Sequence, residues 1–72
     1  MHMRNIEVKL KEILKERNLT QEQLSEMTGI RRATISDIST NSKTAMNRVH
    51  LARIADVLGI DDIRQLIDFK IE

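Results

Sequence analysis

Apolar residues recur along this chain at spacings that predict helices almost throughout. Ile6, Leu10, Ile13 and Leu14 share one face of a helix with Glu and Lys between them, so an amphipathic first helix should run to about Arg17. In Leu19-Thr20-Gln21-Glu22-Gln23-Leu24, Thr20 and Gln23 have the spacing of a capping box, and Leu19 can staple onto Leu24. Gly29 stands where a left-handed C-cap belongs, which places a second helix at about 21–28. The pattern then repeats. Ile30 and Ile35 bracket the start of a third helix at about 31–39, with Arg31 in the cap position. Met46 and Leu51 bracket a fourth, capped by Asn47 and ending near Gly59. Asp61 should cap a fifth helix bearing Ile63, Leu66 and Ile67, and one longer polar loop separates Ser39 from Asn47. The expectation is an all-α compact bundle of five short helices, one domain over residues 1–72 with its core at about 6–69.

Composition narrows the chemistry. The chain has 72 residues and no cysteine, which excludes disulfides and thiolate metal sites and fits a reducing cytoplasm. His2 and His50 cannot complete a metal site alone, so neither metal nor cofactor is expected. No apolar run approaches the roughly 18 residues of a membrane span, and no signal-peptide pattern opens the chain. Without tyrosine, cysteine, a glycine-rich phosphate loop or a spaced His–carboxylate pair, an enzyme is disfavoured. The methionines read as core filler. Net charge is only +1, yet it is unevenly spread: residues 29–53 carry five cations against Asp37, while 54–72 hold two cations against five acids. A basic middle beside an acidic tail suggests one surface that meets an anion and another kept away from it.

The block from Gln21 to Ile38 sharpens this. Small Ser25 allows close approach, Gly29 turns the chain, and Ile35 and Ile38 bury the underside of the following helix. Two short helices crossing over so brief a turn make a helix-turn-helix. Its second helix starts with Arg31-Arg32, two cations at the positive end of the dipole, where Ser, Thr, Asp or Asn would normally sit.

LTQEQLSEMTGIRRATISDI, followed by HLARIADVLGI, resembles the helix-turn-helix of Cro-like and lambda-repressor-like bacterial and phage regulators, the XRE family. The likeness covers about residues 6–69 and is to small stand-alone members. Arg31 replaces the Ser or Thr usual there, Asn41 stands near a customary glycine, the following loop lacks proline, and residues 39–47 are slightly long. The resemblance implies a third helix whose start enters the major groove, where guanine and phosphate acceptors suit both arginines. It implies base contacts from Arg32, Ala33, Ser36 and Asp37, and phosphate contacts from Thr20, Gln21, Arg31, Thr34, Lys43, Asn47 and Arg48. For Asp37 a tertiary ion pair with Arg48 or Arg53 is the competing reading. Ile63, Leu66, Ile67, Phe69 and Ile71 are either core or a dimer interface, since Phe69 and Ile71 exceed the needs of one helix face. The leading expectation is a homodimeric repressor on double-stranded DNA with inverted half-sites, in a bacterial cytoplasm or nucleoid, with no membrane or small-molecule ligand. The alternative is an antitoxin-like or antirepressor protein-interaction module that keeps the fold without binding DNA.

Overall fold

A strand, not a helix, opens the molecule. In the computed structural model, which describes residues 3–71 and only the backbone of Ile71, β1 spans Arg4–Val8. His2 lies outside the described residues. Four helices follow: α1 Leu10–Glu16, α2 Gln21–Thr28, α3 Arg32–Thr40 and α4 Arg48–Leu58. A single 3-10 turn, Ile63–Gln65, then leads into β2, Ile67–Ile71, which pairs antiparallel with β1. The five-helix, all-α expectation is therefore corrected to four helices and a two-stranded ribbon.

The correction has a physical cause. Ile6 and Val8 alternate with polar residues, as do Ile67, Phe69 and Ile71, and a two-residue period suits a strand. Ile6 lies one helical turn before Leu10, so the two periods coincide there and the longer masks the shorter. The expected fifth helix shrinks to its first turn. Asp62 rather than Asp61 caps it, accepting from the Arg64 N–H at 3.0 Å. The Arg64 guanidinium also pairs with the Asp62 carboxylate at 2.8 Å, holding its pKa below the usual carboxylate value.

The local signals of the middle helices are realised closely. Thr20 Oγ1 accepts from the Gln23 N–H at 3.0 Å, and Gln23 Oε1 accepts from the Thr20 N–H at 2.9 Å. Gly29 ends α2 at φ 74°, a left-handed cap that costs a residue without Cβ little. Asn41 takes the same conformation after α3, at φ 55°, and thereby replaces the family's glycine. Asn47 caps α4 by accepting from the N–H groups of Val49 and His50.

Leu10, Leu24, Ile35 and Ile54 are fully buried, one from each helix, with Val8 and Leu66 closing the core from the ribbon side. Burying such side chains contributes about 1.5–3 kcal/mol each, which is most of what so small a domain has against chain entropy. The described methionines do not share in this, which corrects their reading as core filler: Met3, Met27 and Met46 are exposed.

Candidate nucleic-acid interface

Two hydroxyls set the angle between α2 and α3. Thr28 Oγ1 donates to the Leu24 carbonyl at 2.8 Å and accepts from the Ile30 N–H at 3.1 Å, while Ser25 Oγ donates to the Ile30 carbonyl. The turn's buried polar groups are thus satisfied from within, and Ile30 and Ile35 are drawn into the core. Ser25 does more than leave room, since it ties the turn directly. Thr28 was not foreseen; its only sequence signal is a Thr immediately before a C-cap glycine.

With Ile35 and Ser39 turned inward, residues 33, 36, 37 and 40 fall on the outer side of α3 by helical spacing, and Arg32 stands at the helix's first position. Arg32 and Ala33 are exposed, Ser36 and Asp37 half-buried. Arg31 occupies the cap position of α3 without any side-chain cap bond, so the helix starts on uncapped amides and two exposed guanidinium groups. Among the described residues no carboxylate pairs with Arg31, Arg32, Lys43 or Arg48, because the ion pair found is Asp62–Arg64. The ion pair considered for Asp37 does not form either. Its carboxylate accepts from the Ser42 hydroxyl at 3.3 Å, and Arg53 instead donates to the Thr28 carbonyl at 3.3 Å.

An open groove of about 540 Å³ runs between the starts of α3 and α4. It brings together Arg31, Thr34 and Asn47 and adds His50 and Arg53, for which the sequence suggests no DNA contact. Two arginines and a histidine make this a basic, donor-rich cleft. Thr20 and Gln21 start α2, and Lys43 is exposed in the α3–α4 loop. Arg48 lies elsewhere, beside an apolar groove with Leu51, Ala55, Ile63, Leu66 and Ile67.

The C-terminal apolar residues divide. Leu66 is buried and Ile67 half-buried, whereas Ile63 and Phe69 are 64% and 62% exposed; the side chain of Ile71 is outside the described ones. No helix of the described residues is long and apolar enough to cross a membrane, and they contain no cluster of metal-ligating side chains.

No curated protein and no solved structure gives a significant match to the chain. A family model does, that of the Cro/C1-type HTH DNA-binding domain, over residues 9–72. The match includes the capped α2, the Gly29 turn, the arginine-tipped α3, α4 and β2, and leaves out β1. With a helix-turn-helix whose outer helix presents an uncapped cationic start, and a family match over nearly all its length, the chain belongs to the Cro/C1-type helix-turn-helix DNA-binding domains.

Proposed function

We propose that this chain is a sequence-specific transcriptional regulator in a bacterial cytoplasm, acting as a homodimeric repressor at a short operator with inverted half-sites. The start of α3 enters the major groove, and regulation follows from occupying the site, without chemistry. Arg32 is the principal reader, bidentate to guanine O6 and N7, with Ala33 against a thymine methyl and Ser36 and Asp37 further along the same face. Thr20, Gln21, Arg31, Thr34, Lys43 and Asn47 hold the phosphate backbone, together with the basic cleft lined by His50 and Arg53. Arg48 is the weakest of the phosphate candidates, given its place beside the apolar groove.

The observation that carries this reading is the uncapped start of α3 with two exposed arginines and no counter-ion among the described residues. A helix start left without a cap forgoes about 1 kcal/mol, which an anionic ligand at that point can offset. One observation favours a second reading, a protein-interaction module: an acid, Asp37, stands on the outer face of α3 without an ion pair, and would repel phosphate.

Selection of bound sequences from a random duplex pool tests the proposal, and Arg32→Ala with Lys43→Ala separates the two readings. A DNA reader should enrich an inverted repeat with half-sites about one helical turn, roughly 34 Å, apart. Arg32→Ala should then lose about 1–3 kcal/mol of discrimination at one base position while the fold persists. Absence of any enriched motif, with a protein complex that survives both substitutions, would establish the interaction module instead.

A further inference from the structure

The starts of α3 and α4 meet across the open cleft, and their side chains decide what it can hold. Asn47 Oδ1 accepts from the N–H groups of Val49 and His50, at 2.9 and 3.3 Å, so these first-turn amides of α4 are already occupied. What α4 offers the cleft is therefore His50 and Arg53, neighbours on one face of the helix at a spacing of three residues. Arg53 is tethered. Its Nη1 donates to the Thr28 carbonyl at 3.3 Å and lies beside Gly29, where an added Cβ would stand 4.0 Å away. One guanidinium donor is spent on that tether, and the others remain for a ligand. Arg31 and Thr34 bear the same three-residue relation on the α3 side.

His50 is half-buried in this cleft, and among the described residues its ring forms no hydrogen bond and no ion pair. The charged groups that line the cleft with it are Arg31 and Arg53, both cations, and among the described residues no carboxylate does so. Of the acids on the surrounding helices, Asp37 of α3 accepts from the Ser42 hydroxyl. Glu22 and Glu26 of α2 and Asp56 of α4 lie outside the lining. Three nitrogen-bearing side chains are thus gathered without a described anion of the chain's own. Two of them keep their charge at every physiological pH, whereas a histidine changes charge between about pH 5 and 8.

We infer that His50 holds a backbone phosphate in its protonated form, so that each subunit takes up a proton as it binds a duplex and grips its operator more tightly in mild acid than in mild alkali. This rests on the DNA-binding reading above and adds to it a dependence on proton concentration. A protonated imidazole brings a charge and two N–H donors to the cleft, and a neutral one brings no charge and a single donor. Alone with two arginines, an added proton meets only like charge. A phosphate entering the cleft reverses that balance, because an opposite charge at close range favours the charged form. The coupling is reciprocal: the factor by which phosphate strengthens proton binding is the factor by which the proton strengthens phosphate binding. The advantage is complete where the free ring already carries its proton, and it disappears as pH rises through the range in which the phosphate-bound ring gives the proton up. Arg31 and Arg53 supply the part of the binding that does not vary with pH.

The experiment measures affinity for a duplex selected from the random pool, over a series of salt concentrations, at about pH 5.5 and about pH 8. The full chain is compared with His50→Gln, which keeps a donor but cannot be charged, and with His50→Arg, which is charged throughout. The native chain should bind about tenfold more weakly per subunit at the higher pH. Its plot of log affinity against log salt should be steeper at the lower pH by about 0.9 per subunit, one phosphate contact more. His50→Gln should lose both differences by binding weakly at each pH, and His50→Arg should lose them by binding tightly at each. If His50→Gln fails to fold, the native salt slopes and His50→Arg still decide the matter. Equal affinity and equal slope at the two pH values overturn the proton uptake and leave the DNA-binding reading standing. A difference that survives in His50→Gln also overturns it, since the proton then enters elsewhere, at Asp37 or His2. A chain that binds no duplex at either pH overturns the DNA-binding reading and this inference with it.

Discussion

Arg31 is an arginine in a position built for a small oxygen-bearing side chain. Its backbone, at φ −58° and ψ 140°, is extended like that of a capping residue, yet no side-chain oxygen closes the first turn of α3. Arg31→Ser supplies that oxygen. We expect a gain of about 1 kcal/mol in thermal or urea unfolding, and weaker operator binding because a phosphate contact is lost. Opposite signs in two assays identify a residue kept for its ligand at the expense of its helix. A substitution that lowered both, or strengthened both, would remove Arg31 from the interface. The capping chemistry at Thr20, Gly29, Asn47 and Gly59 was legible in advance, because each cap is written in a few adjacent residues. Arg53 was not, since its partner, the Thr28 carbonyl, is 25 residues away and is set by the packing of α4 on α2.

Among the elements, the junction between α3 and β1 hangs on Asn41. One residue both ends α3 in the left-handed conformation and presents an amide that stands in for a third strand beside Val8. Two substitutions separate these roles. Asn41→Gly keeps the backbone conformation and loses the two bonds to Val8, costing about 1–2 kcal/mol. Asn41→Ala loses the bonds and adds left-handed strain, so unfolding should show about 1 kcal/mol more. Equal losses would mean that the amide, and not the turn, is all that matters there. The sequence pointed to Asn41 as a glycine substitute, but its grip on a strand 33 residues away could not be read locally.

At the scale of the whole molecule, the charge imbalance along the chain persists in three dimensions. Among the described residues the cations of 29–53 form no ion pair with the acidic C-terminal segment, whose Asp62 is paired with its own Arg64. A net charge of +1 is therefore a poor guide to the local field. If each subunit of a dimer neutralises three phosphates, the logarithm of operator affinity should fall against the logarithm of salt concentration with a slope of about −5. Titrations at several salt concentrations measure this directly. A flat response would exclude phosphate binding by Thr20, Arg31, Lys43 and the α3–α4 cleft together.

What the sequence determined by itself was the set of helices whose signals are local. A capping box, a left-handed glycine and an apolar stripe each act within a turn or two of helix, so α2, the turn, α3 and α4 could be read off one after another. The ribbon belongs to tertiary structure. Neither Arg4–Val8 nor Ile67–Ile71 can satisfy its backbone alone, and the two meet only once the helices between them have packed and brought the ends of the chain side by side. Until then Ile6 reads as one more position of a helix, and the traces of a strand are a short apolar–polar alternation at each end and the surplus of Phe69 and Ile71 over a helical face.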